Sequence, residues 1–472
     1  MADIDSQYKV IIIGAGPGGY VAAIRAAQLA LKTLIVEKQF IGGTCLNVGC
    51  IPSKDLLTAT ELYESIKHAK DFGITVGEVS IDLKKLQSRK NRNVKVLTTG
   101  VEYLLKQKQV DIFKGSAKFI DENTIELSAQ DKTQKVTAEN VIIATGTVPI
   151  QLPGLSFGDP HILDSTKALE LDFVPKDMVV IGAGPIGLEM ATVWMRLGTE
   201  ITVVEMLETI LPGMDVDLTS QGEAIFKKQG MKIMTSTMVS GADKMDGGFQ
   251  LSLVDAKGKK DKGKISCEKV LVSVGRKVDT SVLGLDRTGV KTDRRGFIEV
   301  DDQMKTNIPG IYAIGDVIGG KLLAHKASKE GAIAVEVIAG EDSHMDYKAV
   351  PGAVYTEPEI ASVGLTEQEA KEQKLELKVG RFPFRASGRA RTMGMMDGLV
   401  KVMADKTTGK VLGVHIIGPK ASDLIAEATL AINLNATVED IAKTIHAHPT
   451  LSESVMEAAL NAEGRAIHIL NK

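Results

Sequence analysis

Cys45 and Cys50 stand five positions apart in GGTCLNVGCIPSK, residues 42–54, with Gly49 before the second and Pro52, Ser53 and Lys54 beyond it. The chain has three cysteines in all, so two this close ask for a chemical reading. A disulfide across so short a loop removes little chain entropy and would be a poor staple. A structural zinc site wants four ligands, and no second Cys/His pair of suitable spacing lies nearby. A redox couple is the best reading. Lys54 and a helix beginning near Pro52 and Ser53 supply positive potential, which stabilises a thiolate and lowers a thiol pKa. A second candidate is His448 in HAHPTLSE, residues 446–453. Thr450 and Glu453 match a helix capping box, in which His448 merely precedes the turn. Alternatively Glu453 holds the His448 imidazole as a general base, fixing its tautomer and raising its basicity. Local sequence leaves these two readings open. His415, in an apolar strand, and His68, among charged helix residues, read as structural or superficial.

The elements that must position these groups repeat. Val10–Ile13 reads as a strand, followed by the turn Gly14-Ala-Gly16-Pro-Gly18-Gly19, a helix to about Leu31, and a strand from Thr33 ending at Glu37. Gly14 makes the tight turn, Gly16 lets the backbone approach a pyrophosphate, and Gly19 lets helix and strand pack closely. The helix start offers unpaired N–H groups to phosphates, and Glu37 accepts from ribose hydroxyls. The same unit recurs as Met178–Ile181, Gly182-Ala-Gly184-Pro-Ile-Gly187 and Ile201–Val204 ending at Glu205. Glu37 lies 23 residues after Gly14, and Glu205 lies 23 after Gly182. Each copy runs on to an apolar strand ending in glycine, VIIATG at Gly146 and VLVSVG at Gly275. The first copy takes 132 residues from Gly14 to Gly146 and the second 93 from Gly182 to Gly275. The difference is largely the cysteine segment and the helical run after it. Two nucleotide units plus a dithiol suggest an electron relay. Glu205 favours NAD over NADP, because a carboxylate there repels a 2′-phosphate. Glu189 is expected in the first turn of the second nucleotide helix, where it suits the helix dipole and opposes phosphate.

Further along, AKGKKDKGK (256–264) reads as a solvated hairpin tip. Cys267, at the start of an apolar strand, reads as a buried inert thiol. IYAIGD (311–316) is a strand delivering Asp316 to the carboxyl end of a sheet, where ligands bind. An N-cap role for the helix expected from about residue 322 is the plainer alternative. From about Tyr347 the pattern becomes an antiparallel sheet with flanking helices and no nucleotide fingerprint. The 472 residues suffice for two to four domains. Hydrophobic content of 44%, charged content of 25% and a net charge of −3 are ordinary for a globular protein and give no case for nucleic acid or an anionic membrane. No apolar run is long enough to span a bilayer. The start, MADIDSQYKV, has neither a signal-peptide core nor transit-peptide character. Few cysteines imply a reducing compartment. A bacterial cytoplasm is expected ahead of a mitochondrial matrix, on Met1.

GGTCLNVGCIPSK, the paired glycine turns, ATG at 144–146, IYAIGDV, LAHKAS and HAHPTLSE occur in the order and spacing of one family. The chain resembles, almost end to end, the FAD-dependent pyridine nucleotide–disulfide oxidoreductases, and in particular their lipoyl-oxidising branch. The fold this implies is α/β: two Rossmann-like dinucleotide-binding domains plus a C-terminal α+β dimerisation domain. Expected boundaries are 1–149 for FAD and the redox disulfide, 150–276 for NAD, 277–346 for the rest of the central region, and 347–472 for dimerisation. The resemblance implies FAD binding through Gly14, Gly16, Gly19, Glu37, Thr145 and Gly146, with Lys54 near the flavin. Gly115 would lie near the adenine end, Asp316 at the ribitol and Ala324 beside the flavin. It implies NAD binding through Gly182, Gly184, Gly187, Glu205, Val239 and Gly275, with Glu189 paired to Lys54, and no metal. Cys45 would exchange with a dihydrolipoyl group on a carrier protein and Cys50 would face the flavin. His448, held by Glu453, would serve the cysteine pair of the other subunit of a homodimer. The implied partners are 2-oxoacid dehydrogenase complexes or the glycine cleavage system. A sibling glutathione-type reductase and a catalytically silent nucleotide-binding subunit are the alternatives. Three positions depart from the family pattern. Asp55 replaces an alanine and is expected either to temper the field of Lys54 or to face solvent. Val278 replaces a proline, which is expected to loosen its turn. Ala30-Leu31 replaces a leucine-glycine helix end.

Overall fold

The computed structural model describes residues 4–130 and 132–471; Met1, on which the compartment expectation rests, lies outside them. The chain forms two compact units. The first comprises Met1–Leu56, Ser80–Ile150 and Gly275–Asp346, the second Leu57–Val79, Gln151–Val274 and Tyr347–Lys472.

In the first unit, strand Gln7–Ile13 lies between Thr33–Glu37 and Lys132–Ile143, all parallel, with Asp111–Lys114 outside Thr33–Glu37. Val10 to Ile13 form an unbroken apolar run because this central strand is covered on both faces; all four are buried. Lys132–Ile143 also pairs in parallel with Ile311–Ala313, so a strand from late in the chain completes this sheet. Helix Pro17–Gln28 packs on helix Ala324–Ile338 through small residues. A Cβ on Gly331 would come within 2.5 Å of the Gly18 carbonyl oxygen, and one on Gly18 within 3.0 Å of the Ala327 oxygen. The first helix stops at Gln28 rather than near Leu31. The chain reverses through Ala30 at φ +58°, with the Leu31 N–H donating to the Ala26 carbonyl. Alanine therefore occupies a left-handed position that glycine adopts without cost, at about 1–2 kcal/mol.

In the second unit, five parallel strands run in the order Lys232–Met234, Glu200–Val204, Asp177–Ile181, Lys269–Val272, Ile162–Leu163. A three-stranded antiparallel sheet comes after Lys232–Met234, and its last turn, 256–260, is the lysine-rich hairpin tip. Cys267 ends the strand Asp261–Cys267 instead of starting the apolar one. It is buried, and burial pushes its thiol up to about 12, which makes it inert. The C-terminal region is a five-stranded antiparallel sheet, Gly352–Val354 to Glu359–Gly364, Val411–Gly418, Leu399–Asp405 and Leu377–Pro383. Helices Ala421–Asn433 and Glu453–Ala462 pack on it. No described helix is long and apolar enough to cross a membrane.

Candidate redox and dinucleotide sites

Cys45 and Cys50 are joined in a disulfide, their Cα atoms 4.6 Å apart, and both are partly exposed. The segment is two helices, Gly43–Val48 and Cys50–Lys67, broken at Gly49. Gly42 turns at φ +92°, and its N–H donates to the Ala15 carbonyl of the first glycine turn at 2.8 Å. A Cβ on Gly43 would meet the Gly16 Cα at 2.5 Å, so the redox segment is seated directly on the nucleotide turn. Asn47 Nδ2 locks the entry by donating to the Ile41 and Gly43 carbonyls. Cys50 opens the second helix, whose N-terminal dipole favours a thiolate. Lys54 lies one turn on, at i+4 and on the same face. Asp55 neither faces Lys54 unpaired nor lies in solvent. Its side chain is buried and paired with Arg89 and Asn93 of helix Leu83–Gln107.

The two glycine turns repeat the same backbone contacts. Gly14 and Gly182 turn at φ +109° and +101°, and a Cβ on either would collide with the Ala144 or Ser273 carbonyl oxygen. In each copy the acid closes the turn. Glu37 Oε2 accepts from Ala15 N at 2.7 Å and Oε1 from Gln39 N at 2.7 Å. Glu205 Oε2 accepts from Ala183 N at 2.7 Å and Oε1 from Leu207 N at 2.8 Å. A Cβ on Gly19 or Gly187 would strike the carbonyl of Gly14 or Gly182, which enforces the close helix–strand packing. Gly16 and Gly184, by contrast, have nothing within 4 Å of a built Cβ. Both are cradles at a helix N-terminus that only a side chain would fill, and a pyrophosphate fits there.

The surroundings of the first cradle fit a larger group. The Thr145 hydroxyl, in ATG, is buried with no hydrogen-bond partner, and Gly146 beside it turns at φ +68° into open space. The Gly115 N–H donates to the Glu37 carbonyl at 2.9 Å. A cleft of about 280 Å³ opens past the end of strand Thr33–Glu37, lined among others by Glu37, Phe40, Asn47, Thr98, Glu102 and Lys114. Asp316 is the second residue of a short 3-10 turn, Gly315–Ile318, and does not cap helix Ala324–Ile338, whose N-cap is Leu323. Burial pushes the Asp316 carboxyl up, against the pull of Arg276, Thr147 and Lys326. Thr147 Oγ1 donates to Asp316 at 3.2 Å and accepts from Arg276 Nε at 2.8 Å. A fully buried Lys326–Glu330 pair, 2.8 Å, braces the same turn: Glu330 Oε2 accepts from Gly315 N at 2.8 Å and Lys326 Nζ donates to the Gly319 carbonyl. Sequence reasoning missed Thr147, Arg276, Lys326 and Glu330. The i,i+4 spacing of Lys326 and Glu330 was the available signal. Gly275 turns at φ +120° and accepts from Ile150 N. Val278 packs into the core of this unit, next to the two-residue bridge of Arg276–Lys277 with Val148–Pro149, so that turn is tied rather than loosened.

In the second unit Val239 lies on strand Thr237–Met245, at a bulge before Gly241. Glu189 is the fifth residue of helix Pro185–Leu197, beyond its first turn, so the helix dipole is not what holds it. It is buried and accepts from Tyr355 N at 3.0 Å. Both readings of HAHPTLSE hold in part. Glu453 Oε1 bonds His448 Nδ1 at 2.8 Å while Oε2 accepts from Thr450 N at 2.7 Å. The other half of the capping box is absent: the Thr450 hydroxyl donates to the Ala447 carbonyl, and the N-cap of Glu453–Ala462 is Ser452. Burial raises the Glu453 carboxyl, but the Thr450 N–H and His448 outweigh it and hold it below its ordinary value. The His448 side chain is 80% exposed, so the ring nitrogen not facing Glu453 is reachable from outside. The cysteine pair belongs to the first unit and His448 to the second.

Residues 8–331 match the family described as pyridine nucleotide-disulphide oxidoreductase, and residues 350–459 its dimerisation domain. The dihydrolipoyl dehydrogenase of Geobacillus stearothermophilus is 48% identical over 472 residues, all of both chains. A mitochondrial dihydrolipoyl dehydrogenase of Arabidopsis thaliana is 48% identical, with 98% of this chain and 92% of that one covered. Among solved structures, LpdA of Mycobacterium tuberculosis superposes with a TM-score of 0.89 at 28% identity, covering 96% of this chain and 99% of that one.

Proposed function

Since the chain belongs to the pyridine nucleotide-disulphide oxidoreductases, in their dihydrolipoyl dehydrogenase branch, we propose that Cys45 and Cys50 oxidise a carrier-bound dihydrolipoyl group. FAD and NAD are the cofactors, and the product pair is lipoamide and NADH. The observation that carries this reading is the disulfide seated on the first of two equivalent nucleotide cradles, in a chain collinear with its relatives.

His448 accepts a proton from a dihydrolipoyl thiol, with Glu453 fixing the imidazole so that Nε2 is the basic atom. The substrate thiolate attacks Cys45 Sγ, the Cys45–Cys50 bond breaks, and Cys50 leaves as a thiolate stabilised by the helix start and Lys54. The second substrate thiol then attacks the mixed disulfide, which closes the lipoyl ring and leaves both cysteines reduced. Two electrons have passed from substrate to protein. FAD, when bound, supplies a two-electron acceptor for the dithiol and a hydride donor for NAD. Gly14, Gly16, Gly19, Glu37, Thr145 and Gly146 would hold it, and Lys54, Gly115, Asp316 and Ala324 would line the same site. Gly182, Gly184, Gly187, Glu205, Val239 and Gly275 would hold NAD, with Glu189 on the helix that follows the turn.

The working domains of this reading are 1–149 and 277–346 for FAD, 150–276 for NAD and 347–472 for dimerisation. The protein is a homodimer, and His448 of one subunit serves the cysteines of the other. Its lipoyl partner belongs to a 2-oxoacid dehydrogenase complex or the glycine cleavage system, in a bacterial cytoplasm. The test is Cys45→Ser, which should abolish dihydrolipoamide-dependent NADH formation while the flavin stays bound. Retained turnover would overturn the mechanism.

A further inference from the structure

Asp55 sits directly after Lys54 on the helix that Cys50 opens. Its side chain is 6% exposed, and both oxygens are engaged by helix Leu83–Gln107: Oδ1 accepts from the Arg89 guanidinium and Oδ2 from the Asn93 amide. Arg89 is 46% exposed, so it reaches a buried carboxylate from the solvent side. Its neighbour Lys90 is itself buried. Lys54, Arg89, Lys90 and Arg92 are among the cations that these two helices carry within four residues of the Asp55, Arg89 and Asn93 contact. A carboxylate there opposes what a thiolate needs. Five residues at 1.5 Å rise put the Cα atoms of Cys50 and Asp55 about 9 Å apart. An uncompensated unit charge at that distance, at an effective dielectric of about 20, weakens a thiol acid by about one pH unit.

We propose that Arg89 is a positioning residue for the redox pair: it neutralises Asp55, so that the positive potential of Lys54 and the helix start reaches Cys50, and with Asn93 it fixes the turn that carries them. This rests on reading Cys45 and Cys50 as the working dithiol. A guanidinium suits a buried carboxylate better than an ammonium, but either supplies the charge.

The experiment is a pH titration of iodoacetamide alkylation in the reduced holoenzyme, with each cysteine followed by mass spectrometry. Arg89→Leu should raise the apparent pKa of the Cys50 thiol by about one unit, and so slow its alkylation about tenfold below that pKa. Arg89→Lys should stay near the parent profile. Asp55→Ala/Arg89→Leu should return to it, since the charge that needed neutralising is gone. Arg89→Gln, which keeps hydrogen bonding without charge, replaces Arg89→Leu if the latter does not fold. An Arg89→Leu profile that coincides with the parent overturns the proposal. So does a double variant as shifted as the single one, because helix displacement would then be the cause. Alkylation needs no lipoyl substrate, so a parent enzyme that failed to oxidise dihydrolipoamide would sink the functional reading without touching this result.

Discussion

Lys401 is the cation of a buried cluster whose loss has a calculable cost. Its side chain and that of Asp215 are 0% exposed. The Nζ donates to Asp215 Oδ1 and Oδ2 at 2.8 and 2.9 Å and to Glu367 Oε2 at 2.7 Å, and lies 3.0 Å from Asp217 Oδ2. His415, 4.0 Å from Asp215, offers no replacement charge. Burial lowers its pKa, and its ring nitrogens are engaged by the Leu365 carbonyl and the Ser362 hydroxyl. Lys401→Met removes the cation and leaves Asp215 buried and uncompensated, a change that costs about 3–5 kcal/mol. At about 2 °C per kcal/mol for a unit of this size, Tm should fall by roughly 6–10 °C, read by calorimetry at pH 8. The pH dependence has a definite sign. Burial pushes the Asp215 carboxyl up, but the Lys401 ammonium and the Glu367 N–H hold it below the ordinary value. Its contribution is therefore full above the unfolded carboxylate range and is lost as pH falls through the lowered native value. In Lys401→Met the carboxyl protonates more readily, so the gap to the parent should narrow between pH 8 and pH 4. Asp215→Asn/Lys401→Met should recover part of the loss. A Tm change under about 2 °C, or a gap as wide at pH 4 as at pH 8, refutes the account.

Glu453→Gln keeps a hydrogen-bonding side chain but removes the carboxylate that bonds His448 Nδ1 at 2.8 Å. Turnover with dihydrolipoamide should fall roughly 10–100-fold, because the imidazole loses the carboxylate that fixes its orientation and tautomer. Ala30→Gly relieves a left-handed alanine and adds flexibility to the unfolded chain, so the net gain should be about 0.5–1 kcal/mol in urea denaturation, with kcat unchanged.

Much of the site was legible because it is local. The glycine turns, the acids that close them and the paired cysteines each lie within one short stretch, where spacing alone dictates the geometry. Groups joined across the fold were not legible. Arg276 reaches Thr147 and through it Asp316, residues separated by more than a hundred positions in one link, and nothing in either stretch announces the other. Asp55 looked like an intruder beside Lys54 because its partners, Arg89 and Asn93, come from a helix whose register the sequence does not reveal. Glu189 falls about one residue beyond the first turn expected for it, because helix starts are soft in sequence, and the dipole argument falls with it.

The two cradles also show how one scaffold takes two roles. After its acid, each copy folds back on its own glycine turn by a single backbone bond, Gly42 N to the Ala15 carbonyl at 2.8 Å and Leu211 N to the Ala183 carbonyl at 2.9 Å. Beyond that shared junction the two copies diverge. In the first a glycine pair lets the chain press against Gly16 and enter the helix that carries Cys45. In the second the chain runs through Leu211 at φ +48° to Asp215, which caps helix Val216–Lys228 and binds Lys401 of the C-terminal sheet. A side chain at Gly43 would close the first route, since its Cβ already meets backbone. The redox pair and the buried ion cluster are therefore alternative uses of one position in a duplicated unit. Both are set by a backbone contact that residue composition does not display.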